Sequence, residues 1–382
     1  MYNSIVKILL VLFSFHFTLS AQNKQELTDP KTNNKSIVRR TPIENLENIN
    51  EVMYYKGIPF TGTSIENFAN KVKKQEIQWV NGLINGTKTE YFEGGIAIRA
   101  QLNFVEGKRH GYFYYRYPNG QISLQGKYIE NELDSTVNAF YKDGKPKYIH
   151  NYVKGIKNGL SITYFPNGNI EQKVNIANDL PNGQMINFYE AGNVRLESFY
   201  TRGIRNGYYY RYHLTGIKAE ESYFKNGIQD SICRYWDNVF GRLMKEEIYE
   251  NGQLNGNQVT FNEFGDTIQS LYFVKGQLNG PYKKYFSGTE NYGKNKKKYK
   301  GYLYGLNETG FYVDGLLDGP FKTGLTKKDS RAEGTYSKGK MVGEWKYYNA
   351  KGKVVLHEKY NDESELIYQK PKLPTPSVES NE

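Results

Sequence analysis

The sequence predicts an all-β fold, an elongated single-layer antiparallel array of about twelve β-hairpin repeats. Three observations predict it. A glycine-led unit recurs every 24 or 25 residues, each unit holds a second turn dipeptide about thirteen residues in, and aromatic residues keep phase with both. The 35 tyrosines, 20 phenylalanines and 38 glycines among 382 residues are the composition of aromatic, turn-rich β-structure, not of a leucine-rich helical core.

In chain order, residues 1–21 read as a signal peptide. Lys7 supplies the positive start, Ile8 to Phe17 is apolar apart from Ser14 and His16, and Leu19-Ser20-Ala21 offers a small residue for cleavage. The expected product begins at Gln22 and is exported to the periplasm or beyond the cell. The apolar run is about half the ~20 residues that a spanning helix needs, so no transmembrane helix is expected after cleavage. No cysteine lies near the cleavage point, which argues against a lipoprotein. Residues 22–50 are polar and without periodicity and read as a flexible linker, residues 51–360 as the repeat domain, and residues 361–382, with prolines at 371, 374 and 376, as a disordered tail.

The units align on Gly57, Gly82, Gly107, Asn131, Gly155, Asp179, Gly203, Gly227, Gly252, Gly276, Gly315 and Gly339, and only the step of 39 residues from Gly276 to Gly315 breaks the rhythm. A second glycine usually follows four residues on, as in Gly155/Gly159 and Gly203/Gly207, and this spacing marks a tight reversal because glycine tolerates positive φ. Asn119-Gly120, Asp143-Gly144 and Asn167-Gly168 mark the other reversal, where a type I′ turn is expected because both residue types accept positive φ. Three residues before each start stands an apolar residue, aromatic in all but one unit, from Tyr54 and Trp79 to Tyr336. A second column, including Tyr91, Phe140, Tyr164, Phe188, Tyr212 and Trp236, precedes the Asn-Gly turn. Both columns are expected to be core. Twelve two-stranded units in line would form a band on the order of 115 Å long, each unit touching only its neighbours.

A third column follows directly: Phe92, Tyr117, Tyr141, Phe165, Tyr189, His213 and Phe286. Adjacent strand residues point to opposite faces, so these rings are expected to offer a strip for a partner on the other side of the sheet. The densest basic cluster, Lys296, Lys297 and Lys298, falls in the long step and is a candidate contact for an acidic partner or anionic lipid. The net charge of +11 is spread along the repeats, which does not describe a nucleic-acid site. The single cysteine, Cys233, makes no internal disulfide. The histidines outside the signal, His110, His150, His213 and His357, occupy different phases of different units and do not converge, and no phosphate-loop or zinc spacing occurs. No enzyme, metal or cofactor is expected.

The segments Gly107-Lys-Arg-His-Gly-Tyr-Phe-Tyr-Tyr-Arg-Tyr-Pro-Asn-Gly120 and Gly155-Ile-Lys-Asn-Gly-Leu-Ser-Ile-Thr-Tyr-Phe-Pro-Asn-Gly168 resemble the MORN repeat in its bacterial variant form, over about Tyr54 to Tyr360. The resemblance implies a β-hairpin array used for protein interaction or scaffolding, with membrane-lipid contact in some members. It extends to the YwqK-type antitoxins, which implies a toxin-binding role; joined to an export signal, that becomes an immunity-like binder in the cell envelope. The leading expectation is therefore an exported protein-binding scaffold. A cell-wall glycan binder, using exposed tyrosines to stack sugar rings, and an anionic-lipid binder are the alternatives. An unpaired end strand adds the expectation of a homodimer.

Overall fold

The computed structural model describes residues 39–286, 305–324, 331–349 and 351–371, with the side chain of Phe286 outside that set. The signal peptide, the Lys296–Lys298 cluster and the tail beyond Pro371 lie outside the described residues. All described strands belong to one unit that begins at Arg40.

The fold is the expected one, a long and mostly antiparallel sheet of hairpins, with thirty strands joined among the described residues. Arg40–Pro42 runs parallel beside Gly62–Asn67, and from there each strand pairs antiparallel with the next in sequence, as in Ile122–Ile129 with Glu132–Phe140 and Val194–Thr201 with Ile204–Tyr212. The last, Leu366–Lys370, pairs with Val354–Tyr360. Substantial contacts join only strands that neighbour each other in the sheet. The array is thus a single layer, in which each module packs on its two neighbours.

The two reversals of each module differ from the expected assignment. At the module starts two successive residues take positive φ, as in Glu106 (47°) with Gly107 (80°) and Lys154 (49°) with Gly155 (79°). This is the type I′ turn, and it sits here rather than at Asn-Gly. At Tyr117 to Gly120 only the glycine has positive φ (88°), its N–H donates to the Tyr117 carbonyl at 2.9 Å, and the Tyr117 N–H donates to the Gln121 carbonyl at 2.8 Å. That is a type I turn closed by a left-handed glycine, the three-residue hairpin loop. The same pair of bonds recurs at Tyr141, Phe165, Tyr189 and His213.

Each module also holds two bulges. Gln125 pairs with Asn138 and Lys127 with Asp134, so three residues centred on Thr136 face the single Gly126. The residue at the start of this bulge has positive φ, whether it is Ser135 (66°) or Gly111 (98°), which explains the second glycine of the sequence pattern. The other bulge leaves Ser123 unpaired between the Tyr115–Leu124 and Arg116–Ile122 pairs.

Paired strands extend past both expected edges of the repeat domain. Glu47–Ile49, Val52–Tyr55 and Ile58–Pro59 form a small three-stranded sheet, turned at Asn50 (φ 49°) and Glu51 (φ 67°). That type I′ turn contains no glycine, so a glycine-based alignment passes over it. Leu366–Lys370 likewise forms a strand inside the segment read as tail.

The buried side chains lie on one face, where the first aromatic column meets residues six past each module start. Phe113 packs on Tyr128 with ring centroids 4.7 Å apart and on Tyr115 edge-on at 6.0 Å. Phe321, Tyr336 and Trp345 form the corresponding cluster near the C-terminus. Several strands make room for these rings with glycine: a Cβ on Gly126 would lie 2.9 Å from Val137 and 3.0 Å from the Phe113 ring, and one on Gly334 would clash with the Trp345 ring. The Gly334→Ala substitution is therefore expected to destabilise the chain by about 1–3 kcal/mol through overpacking, read as a lower urea midpoint with an unchanged slope.

Candidate interaction surface

Strand alternation puts the second aromatic column on the face opposite the core, which corrects the expectation that both columns are buried. Val137 and Ala139 are buried on the first face, so Phe140 points to the other. There the rings are half-buried among charged side chains. Tyr91 donates to a Glu76 carboxylate oxygen at 3.0 Å, with Lys73 Nζ 5.0 Å from its ring. Lys218 Nζ lies 4.8 Å from Tyr210 and 5.3 Å from Trp236 while pairing with Glu221 at 2.8 Å. Tyr208 and Tyr210 stack at 5.7 Å, with their planes 7° apart. These cation–ring and ion-pair contacts cover a face that no second layer covers.

Six residues of the third column do not project from a strand. Phe92, Tyr117, Tyr141, Phe165, Tyr189 and His213 each open a type I turn, and the structure brings them together along one edge of the sheet. The Tyr117 hydroxyl donates to the Phe140 carbonyl at 2.9 Å, Tyr141 to Tyr164 at 2.8 Å and Tyr189 to Tyr212 at 2.9 Å. His213 Nε2 lies 3.3 Å from the Trp236 carbonyl. Each of these side chains therefore ties its own turn to the following module. Phe92 and Phe165 hold the same place without a hydroxyl. Asn119 and Asn167 add parallel bonds to the carbonyls of Lys142 and Glu190. Phe286 ends its strand.

The opposite edge carries a feature that the sequence reading missed. The residue after each type I′ turn is often aliphatic and exposed: Ile156, Leu180 (48%), Ile204 (53%), Ile228 (50%) and Leu316 all stand there. Val80, Val105, Val153, Val274 and Val313, just before the turns, are exposed with them. These positions alternate with the core column, so the ridge lies on the second face. Each ridge side chain reaches under the next turn: a Cβ on Gly227 would be 3.3 Å from Ile204 Cγ2. The turns are laddered too, with Gly203 N–H donating to the Pro181 carbonyl and Gly227 N–H to that of Arg205, both at 2.8 Å. The ridge's signal in the sequence is Gly-Ile or Gly-Leu at several module starts.

The core face also carries polar groups. Glu247 is 3% exposed and is held by Lys245 Nζ (2.8 Å), Gln258 Nε2 (2.6 Å) and the Tyr249 hydroxyl (3.1 Å). Cys233 Sγ lies 3.0 Å from Ser222 Oγ. Burial pushes the Cys233 thiol up, and burial together with the Glu247 charge pushes Tyr249 up to about 12. The carboxylate is saturated by its own neighbours and the thiol stays protonated. Among the described residues no three His, Cys, Asp or Glu side chains gather as a metal requires.

A family profile described as "MORN repeat variant" matches residues 157–178. The chain carries a MORN repeat variant. The matched residues run from the end of one type I′ hairpin, through a type I turn, into the next type I′ turn at Asn178-Asp179 (φ 52° and 63°), so they span one structural repeat of the array. No curated protein matches the sequence. Among solved structures, the crystal structure of TcdB2-TccC3-Cdc42 is similar at 7% identity over 80% of this chain and 18% of that chain, with a TM-score of 0.15. That of TcdB2-TccC3 is similar at 10% identity over 83% and 17%, with a TM-score of 0.13. The chain thus spans less than a fifth of the length of either.

Two outcomes follow from these contacts. Tyr141→Phe removes the hydroxyl bond to the Tyr164 carbonyl and keeps the ring; an expected loss of about 0.5–1.5 kcal/mol is read from the urea midpoint. His150, stacked on Tyr148 at 4.2 Å, is pulled down to about 4 by burial first and by Lys157 second. A depressed base is neutral in the fold and binds protons on unfolding, so its contribution is complete above about 6.5 and is lost as pH falls from there toward 4. Unfolding at pH 7.5 and pH 5.5, about one unit to either side of that upper limit, should show wild type weakened at the lower pH and His150→Leu less so.

Proposed function

We propose that this chain is a non-enzymatic repeat scaffold, exported to the cell envelope, that binds a protein partner along the second face. The observation that carries the reading is the aliphatic ridge, in which Ile156, Leu180, Ile204 and Ile228 recur at module spacing and are exposed. A contiguous exposed apolar row rimmed by polar groups is the mark of an interaction surface. The charged and aromatic strip beside it supplies what interfaces favour, rings and arginines at partly dry positions. The third aromatic column contributes indirectly, since its hydroxyls set the spacing between modules. A toxin-neutralising or immunity-like role is one form this binding takes, and the export signal directs that role to an envelope partner.

A second reading rests on the stacked pair Tyr208 and Tyr210, half-exposed beside Lys218 and Glu221, which suits a sugar ring lying on phenol faces. One experiment separates the two. The chain and a variant with Ile156, Leu180, Ile204 and Ile228 changed to serine are used to capture proteins from envelope extract and are passed over purified cell-wall polysaccharide. The scaffold reading expects a defined protein held by wild type and reduced roughly tenfold or more in the variant. Capture that is unaffected by the serines, or retention on polysaccharide with no protein captured, overturns it.

A further inference from the structure

We propose that the C-terminal edge strand, Leu366–Lys370, is a self-association site at which two copies of this chain join antiparallel, extending one sheet into the other. The two ends of the array are built differently. At the N-terminal end the outermost strand is Arg40–Pro42, three residues long, parallel to its neighbour and closed by a proline. Short strands and prolines are how sheet edges are blunted against further pairing. At the other end Leu366–Lys370 bonds on one side only among the described residues and carries no proline. Its side chains also stand out into solvent: Leu366 is 48% exposed, Ile367 58% and Tyr368 46%. An unpaired backbone and a cluster of exposed apolar side chains are independent features, and both point to a strand as occupant.

The residue pattern favours a second copy of the same strand. Antiparallel pairing about Tyr368 sets Leu366 against Lys370 and Ile367 against Gln369. The lysine stems then cover leucines, and the two ammonium groups sit at opposite ends; a parallel pairing would set lysine beside lysine. Pro371, Pro374 and Pro376 lack the N–H that a ladder needs, so the segment after the strand is a poor cover for it. Because the strand pairs with its own copy about a two-fold axis, the association is isologous and stops at two copies. Five residues of strand make a small interface, and the association is expected to be concentration-dependent.

The test uses the purified chain in sedimentation velocity from about 1 µM to about 500 µM, a range suited to weak association. Wild type should shift from monomer toward dimer across that range, and a variant with Ile367→Lys and Tyr368→Lys, which sets like charges across the axis, should remain monomeric. Tyr368→Cys adds a readout of register. Residues facing each other across an antiparallel pair have Cα atoms about 4.5–5.5 Å apart, within disulfide range, and the chain's own Cys233 is buried. Mild diamide should therefore link Tyr368→Cys into covalent dimers, while Tyr112→Cys, exposed in an early module, should stay unlinked at the same concentration. The proposal is overturned by wild type that is monomeric throughout, by dimers that survive both lysines, or by a Tyr368→Cys thiol that is shielded in a monomer, which would put the chain's own tail on the edge.

Discussion

The structure depends on where the backbone is forced into positive φ. Each module reverses twice, once through a type I′ pair and once through a type I turn ended by a left-handed glycine, and a third left-handed residue opens the bulge between them. These points fix strand length and register, so every module presents the same positions to the same face. Most non-glycine residues resist this conformation, yet Glu106, Glu130, Lys154 and Lys275 adopt it at φ 47° to 49°. What holds them is the ladder. The second residue of each turn donates its N–H to a carbonyl of the preceding module, as Gly107 does to Ile84 and Asn131 to Arg109. Turn geometry and module stacking are therefore one constraint.

That coupling explains which parts of the fold could be read in the sequence. The period was legible because glycine is cheap at φ near 80° and recurs there. The turn types were exchanged because Asn119-Gly120 has the composition of a type I′ pair, while the loop that closes at Tyr117 and Gln121 needs only one left-handed residue. At the other turn the first residue is a lysine, glutamate or arginine as often as asparagine, and composition does not mark it. Asn50-Glu51 and the Ser364 turn (φ 73°) lack glycine altogether, which is why the outermost strands were read as linker and tail.

The candidate surface was harder to read for a different reason. In a sheet with no second layer both faces need apolar cover, so aromatic character does not say which face a residue occupies. Strand parity does, and it separates Val137 and Ala139 from Phe140. The tyrosines before Pro-Asn-Gly and its variants looked like an exposed strip because a ring next to a core column should face the other way. They sit one step further on, where the strand has already become a turn, and their hydroxyls find carbonyls of the next module. The aliphatic residues at the opposite edge have the composition of ordinary strand positions, and only their phase beside the turn sets them apart.

A one-dimensional array has no central core to average over, so local composition sets local strength. Near the N-terminus Phe60, Ile77 and Trp79 cluster, then Ala100, Leu102 and Phe113, and near the C-terminus Tyr282, Phe321 and Trp345. Between them the equivalent positions include Val137 and Val174 but also Ser198, Ser222, Cys233 and Glu247, all buried. Hydroxyls, a thiol and a carboxylate gain little from leaving water, and the carboxylate is tolerable only because three donors reach it. Removing one of those donors leaves a buried charge short of partners, whereas trimming a methyl from the flanking clusters loses only contact. The modules around Glu247 are thus joined largely by directional bonds, as is the C-terminal stretch around Glu358, and the apolar clusters by packing. The ridge residues Ile204 and Ile228 lie over this middle stretch, so a partner seated on them would cover the part of the sheet that packing holds least.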